Sequence, residues 1–207
     1  MNKKIEGFVF DIGNVLVQWS TSNITKKYKS ADVHKTKQLN TVTEVMNIRI
    51  DKGESFKAIL AEYIANYPEF ENVLADWRDN WIQMFKPKIH NTWVILYELK
   101  QMGYPIYALS NFGKETFDFA CDVYPELRSF DRHFISGHFG IVKPDKRIYE
   151  KVERETGLVR SKLFFIDDNK FNCVAAEKRG WQVHIFRDAK GLRDHLNSLG
   201  ILLHNLE

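Results

Sequence analysis

A chain of 207 residues, 44% hydrophobic and 28% charged, has enough apolar material for a real core and fits one domain carrying a modest insertion. Its net charge of +3 is small, and basic pairs such as Lys26-Lys27 are short and scattered, which argues against a nucleic-acid partner. No apolar stretch approaches the roughly 20 residues that span a bilayer, and Cys121 and Cys173 are too few and too isolated for a disulfide framework or a thiolate metal site, so a cytoplasmic protein with no membrane partner is expected.

The N-terminal apolar run is broken by Glu6 and Gly7 and is followed by no small-residue cleavage site, so "FVFDI" (8–12) reads as a first strand and not as a signal peptide. Residues 18–88 then show no strand signal but strong helical periodicity. Phe56, Ile59, Leu60, Tyr63 and Ile64 share one face, and Val73, Leu74, Trp77, Trp81 and Phe85 another. At that spacing Trp77, Trp81 and Phe85 read as the core of a helical subdomain and not as a ligand-stacking stripe. A helix over 92–103 stops at Gly103, and strands follow at 105–110 and 133–136. Pro144 opens a helix over 145–157 that Gly157 closes, before a strand at 162–167, a helix at 171–180, a strand at 182–186 and a last helix at 191–200. The alternation predicts an α/β fold: a parallel sheet of about five strands with crossover helices, interrupted by an all-helical insertion. The core comprises 1–17 and 89–207, and the insertion 18–88.

In an open parallel sheet, ligands bind beyond the carboxyl ends of the strands, and here those ends are polar. The first ends in Asp11, with Gly13 and Asn14 in its turn; the second presents Ser110 and Asn111; "GIVKPD" after the third carries Lys143; the fourth ends in Asp167, Asp168 and Asn169. Converging carboxylates make a hard oxygen site suited to magnesium. A hydroxyl, an amide and a lysine supply donors for a phosphoryl group, and a carboxylate beside them can attack phosphorus.

The series "FVFDIGNVLV", "ALSNF", "GIVKPDKRIY" and "FFIDDNKFNCVAAEKRGWQVHIF" resembles the haloacid dehalogenase superfamily in full motif order, and the insertion after the first motif resembles the helical cap of one subgroup. The resemblance implies a Rossmann-like core with helices on both faces and a cap above the site. It implies Asp11 as nucleophile and metal ligand, Gly13 as a backbone-carbonyl metal ligand, and Asp167 and Asp168 as acidic metal ligands. Lys143 would hold the nucleophile and neutralise charge. Ser110 and Asn111 would face the phosphate, and Asn14 and Asn172 would support the metal site. The expected substrate is a small-molecule phosphate ester and the cofactor Mg²⁺; oligomeric state is left open.

One element of the pattern is missing. Typical phosphatases of this family carry a second aspartate two residues after the nucleophile, as proton donor and later as base, where this chain has Gly13. Because a positioned acid or base is worth about 10²–10⁴-fold in rate, three readings follow. A phosphatase can draw its proton from elsewhere; "DIGNV" resembles the first motif of capped members that look like sugar phosphatases, whose leaving groups need little protonation. A dehalogenase can use Asp11 against carbon, though its fourth motif would not pair two acids. A binding protein can keep the site without turnover. "RIDKGESF" offers Asp51, Lys52 and Glu54 as a substrate-facing loop or an ordinary helix-helix turn.

Overall fold

The computed structural model describes residues 4–28 and 32–203; the outermost parts of the expected core, 1–3 and 204–207, lie outside the described residues. In chain order the elements are β1 (Gly7–Phe10), β2 (Val17–Trp19), α1 (Ser22–Thr25), α2 (Val33–Asp51), α3 (Phe56–Asn66), α4 (Glu71–Asp79), β3 (Phe85–Lys88) and α5 (His90–Gln101). They continue with β4 (Ile106–Ser110), α6 (Lys114–Val123), β5 (Arg132–Ile135), α7 (Lys146–Thr156), β6 (Leu163–Asp167), α8 (Lys170–Lys178), β7 (Gln182–Ile185) and α9 (Ala189–Ser198).

Apolar residues alternate across the strands and bury both faces of one parallel sheet, ordered β5-β4-β1-β6-β7. Phe8, Phe10, Ile106, Phe164 and Ile166 face one side, where Trp93 and Leu96 of α5 and Leu192 and Leu196 of α9 cover them. Val9, Leu109, Phe134 and Phe165 face the other, under Ile148, Tyr149 and Val152 of α7 and Ala176 of α8. This is the parallel sheet that the strand pattern predicts, in the doubly covered Rossmann-type form that the resemblance implies. From β1 the chain moves out to β4 and β5, then crosses back to β6 and β7, so the crevice opens above the end of β1.

The inserted stretch differs from expectation at its edges. It is helical through α1–α4, with Asp32 and Ser55 capping α2 and α3 through side-chain bonds to backbone N–H groups. Its C-terminal end, however, is strand: β3 pairs antiparallel with β2, Val17 opposite Lys88 and Trp19 opposite Phe85. Proline in "FKPK" argues against a strand on local grounds, and the pairing partner lies some seventy positions away, so no local pattern announces it. The ribbon brings the two ends of the insertion together. In addition, α4 stops at Asp79, which puts Trp81 in a 3₁₀ turn and Phe85 in β3, off the helical face that periodicity assigned them. Helix α6, for which the sequence reading held no element, buries Thr116, Phe117, Ala120 and Cys121.

Candidate active site

Asp11 follows β1 directly, and its Oδ1 collects three donors: its neighbour's backbone, Ile12 N at 2.8 Å; the Ser110 hydroxyl at 2.7 Å; and Lys143 Nζ at 2.9 Å. Oδ2 has no protein donor among the described residues. One oxygen is thus fixed in place while the other stays available. Burial pushes the carboxyl upward and Asp167 adds to it, against the pull of Lys143 and Ser110.

Lys143 is almost completely buried, with Nζ 2.7 Å from Asp167 Oδ2 and 2.9 Å from the Leu109 carbonyl. Burial opposes its charge, but Asp11 and Asp167 outweigh it and raise its pKa above the ordinary lysine value. Asn111 fixes the lysine's backbone from both sides: Oδ1 accepts from Lys143 N at 2.7 Å and Nδ2 donates to Lys143 O at 3.1 Å. Its side-chain amide is therefore engaged with the lysine loop, while the residue still lines the cavity beside Asp11. Asp167 is fully enclosed, receiving Lys143, Asn169 N at 2.7 Å and both of its oxygens Asn172 Nδ2 at 3.1 Å. Asn172 thus acts on Asp167, and Asp167 on Lys143.

Asp168 is less buried and lines the cavity. Asn14 holds it, Nδ2 donating to Asp168 Oδ2 at 3.1 Å while Asn14 Oδ1 accepts Trp19 N at 2.9 Å. This bridge uses a left-handed backbone at Asn14, φ 55°, a conformation that asparagine tolerates better than most residues. One carboxylate oxygen from each of Asp11, Asp167 and Asp168 lies within 4.8 Å of the other two. With all three ionised, Lys143 is the one cation bonded to them among the described residues, so these four groups carry a formal charge of −2. Burial and Asp167 both raise the Asp168 carboxyl, the mark of a place short of positive charge. Oxygen-only donors with that deficit fit a hard divalent cation such as magnesium. Gly13 lines the same cavity.

The cavity has a volume of about 250 Å³. Asp11, Gly13, Asn14, Ser110, Lys143 and Asp168 form one side of it, with Asp167 enclosed behind them. Its wall is aromatic, formed by Trp19, Trp81, Phe85 and Phe112, with Trp81 5.7 Å from both Phe85 and Phe112 between ring centres. Trp77, Trp81 and Phe85 are all buried in the hydrophobic core, as the spacing implies, and Trp81 and Phe85 line the cavity as well. Sequence reasoning also left Asn47 and Thr116 unassigned, and Asp51 undecided between substrate-facing loop and turn; all three line the cavity. Asp51 ends α2, where Asn47 Nδ2 donates to its Oδ2 at 3.0 Å. Burial, with the charge of Asp11, pushes its carboxyl up to about 7 despite Lys143 and the Gly113 amide. Ser136, also unforeseen, ties the insertion to the core: Oγ donates to the Asp51 carbonyl at 2.6 Å and accepts Phe112 N at 2.9 Å. An i, i+4 reading of "NIRID" could have paired Asn47 with Asp51; nothing local marks Ser136.

Solved structures share this fold. A HAD family enzyme from Bacteroides thetaiotaomicron superposes with a TM-score of 0.72 at 20% identity, over 89% of this chain and 95% of that one. Its complex with magnesium and inorganic phosphate matches with a TM-score of 0.66 at 21% identity over the same shares. Among curated relatives, a drimenol cyclase of Aspergillus calidoustus is 22% identical over 94% of this chain and 36% of its own length. A sesquiterpene phosphatase of Aspergillus oryzae is 31% identical over 42% of this chain and 44% of its own. An (S)-2-haloacid dehalogenase of a Pseudomonas species is 33% identical over 42% and 37%. The matches thus span less than half the length of these relatives. Residues 9–186, from the strand that carries Asp11 to the end of the last strand, match the haloacid dehalogenase-like hydrolase model, and the chain belongs to that family of hydrolases.

Proposed function

We propose that the protein is a magnesium-dependent phosphomonoester hydrolase acting on a small metabolite through an aspartyl-phosphate on Asp11. The observation that carries this reading is the asymmetric carboxylate of Asp11, one oxygen held by three donors and the other open to a cavity with a cation deficit. Asp11 Oδ2 attacks phosphorus in line with the leaving oxygen. Ser110 and Lys143 keep the carboxylate oriented, and Lys143 offsets negative charge as it builds on the phosphoryl oxygens. Asp11, Asp168 and the Gly13 carbonyl would hold magnesium, which supplies Lewis-acid neutralisation of the phosphate when bound. Water then attacks the phospho-aspartate and releases inorganic phosphate. The insertion, residues 18–88, acts as a cap whose aromatic residues meet the leaving group, a role compatible with a sugar ring stacked on Trp81.

The dehalogenase reading fits this site less well. Displacement at carbon gains nothing from a second acidic residue whose charge the site leaves unneutralised. Support for phosphoryl chemistry also comes from the magnesium- and phosphate-bound structural neighbour and the phosphatase relative. The test is phosphate release from a panel of sugar, alkyl and aryl phosphates with magnesium. Asp11→Asn and chelation should each abolish it; full turnover after either one refutes the mechanism.

A further inference from the structure

Gly13 leaves the site without the proton donor that the reaction needs, and the cavity holds one carboxyl that the chemistry above does not use. We infer that Asp51, at the end of α2, is the general acid and base of the reaction, supplied from the inserted segment in place of a residue at position 13. This rests on the phosphohydrolase reading.

Three observations carry it. Asp51 and Asp11 line the same small cavity from opposite partners, the insertion and the sheet. The Asp51 carboxyl is held: Oδ2 takes the Asn47 amide at 3.0 Å, and its backbone carbonyl takes the Ser136 hydroxyl at 2.6 Å. The seam around it is built for close approach. A Cβ on Gly53 would lie 2.2 Å from the Gly137 carbonyl oxygen, and one on Gly113 would lie 2.5 Å from Ile50 Cγ2. Both glycines let the end of α2 sit directly on the loops that carry Ser110 and Ser136. An acid pushed up to about 7 by burial and by Asp11 is protonated often enough to donate near neutrality, and basic enough to accept afterwards. The two neighbours considered beside it do less: Lys52 and Glu54 are exposed, and Arg49 binds Glu54 and Glu62 in an exposed cluster.

The steps balance. As the Asp11 Oδ2–phosphorus bond forms and the bond to the leaving oxygen breaks, the Asp51 carboxylic acid gives its proton to that oxygen, releasing an alcohol. The Asp51 carboxylate then takes a proton from water as that water's oxygen attacks phosphorus. The phosphorus–Asp11 bond breaks, inorganic phosphate leaves, and both carboxyls return to their starting states.

The experiment compares Asp51→Asn with wild type on an alkyl phosphate and on a nitrophenyl phosphate, whose leaving group departs without a proton. Turnover of the alkyl ester should fall about 10²–10⁴-fold. The first step on the aryl ester should survive within about tenfold, while loss of the base stalls the second. Phosphate bound covalently to Asp11 should therefore accumulate in Asp51→Asn and be visible by acid quench and intact mass. Equal losses on both esters with no trapped phosphoenzyme reduce Asp51 to a structural residue, and unchanged turnover of both removes it altogether. Wild type that releases phosphate from neither ester overturns the phosphohydrolase reading itself, and this inference with it. Asp51→Asn is isosteric with the protonated acid, and a cooperative unfolding transition at or above the wild-type midpoint confirms that any loss is chemical.

Discussion

Replacing Lys143 with methionine tests how the site is held together. In the native protein Nζ lies 2.9 Å from Asp11 and 2.7 Å from Asp167, with the lysine side chain 1% exposed and that of Asp167 not exposed at all. At an effective dielectric of about 20, each contact at such distances is worth roughly 6 kcal/mol of Coulomb attraction, set against several kcal/mol of desolvation per ion. Lys143→Met keeps the volume and removes the charge, so two carboxylates are left buried without a cation. Breaking a buried pair costs about 3–5 kcal/mol. The chain can limit that cost by keeping a proton on one carboxyl, and this ties the loss to pH. Without the lysine, burial holds the folded-state carboxyl pKa above its unfolded value of about 4. Between the two values the folded protein binds more protons than the unfolded one, so stability falls as pH rises, by about 1.4 kcal/mol per pH unit for each proton retained. Urea unfolding of the chelated protein, followed by tryptophan fluorescence, should show Lys143→Met about 3–5 kcal/mol less stable than wild type at about pH 7.5. Wild-type Asp11 is itself pushed up to about 7, so only the further proton that the variant retains changes the difference, and the gap should shrink by about 1–3 kcal/mol at about pH 5.5. A loss below about 1 kcal/mol, or one that does not change with pH, would refute the view that Lys143 is the counter-ion on which both carboxylates depend.

Asn14→Gly keeps the left-handed backbone at φ 55° but removes the side chain that holds Asp168. Magnesium affinity, measured by titration calorimetry, should fall about 10–100-fold, as it does when ligand-orienting partners are lost; unchanged affinity refutes the role given to Asn14. Gly53→Ala and Gly103→Ala form a matched pair, since both glycines have positive φ (92° and 85°) but only Gly53 lies against another chain segment. Both should lose about 1 kcal/mol from backbone strain, whereas Gly53→Ala should lose a further 1–3 kcal/mol or so and most phosphate release, because the end of α2 must lift from Gly137. Equal thermal unfolding midpoints and activities for the two would mean that the seam tolerates separation.

The sheet was legible because burial of both faces turns each strand into a short apolar run, and those runs fall within one or two residues of their observed bounds. Strand-end polarity was legible for the same reason: Asp11, Ser110 and Asp167 each interrupt a run that must otherwise be apolar. What a one-dimensional pattern could not give was which partner each polar group takes. Asn111 and Asn172 stand where a phosphate or a metal could use them, yet their amides hold Lys143 and Asp167, because a buried lysine and aspartate need donors and acceptors more than an open cavity does. The β2–β3 ribbon was hidden by its proline and by the length of chain between its strands. That ribbon also explains Trp81 and Phe85: it ends the helical path early and turns both rings toward the cavity.

The glycine at position 13 and the aspartate at position 51 are best understood together. A Cβ at Gly13 would meet only Trp19 Cβ, at 3.6 Å, an ordinary contact, so packing does not forbid a side chain there. A carboxylate at 13 would add a fourth negative group beside Asp11, Asp167 and Asp168, in a cluster that already lacks balancing charge. Placing the acid on the insertion instead puts it on a different segment lining the same cavity, where burial and the charge of Asp11 help it keep its proton. It also makes proton transfer conditional on the position of the insertion. An acid at position 13 would be present whether or not the insertion sits on the core, whereas Asp51, as the proposed acid, would be in place only while Ser136 and the glycine seam hold α2 down. Release of a poor leaving group and hydrolysis of the phospho-aspartate would then both require a seated insertion, and only the first step on esters that need no proton would not. A substrate too large to let α2 seat would be bound and, lacking its proton donor, left intact.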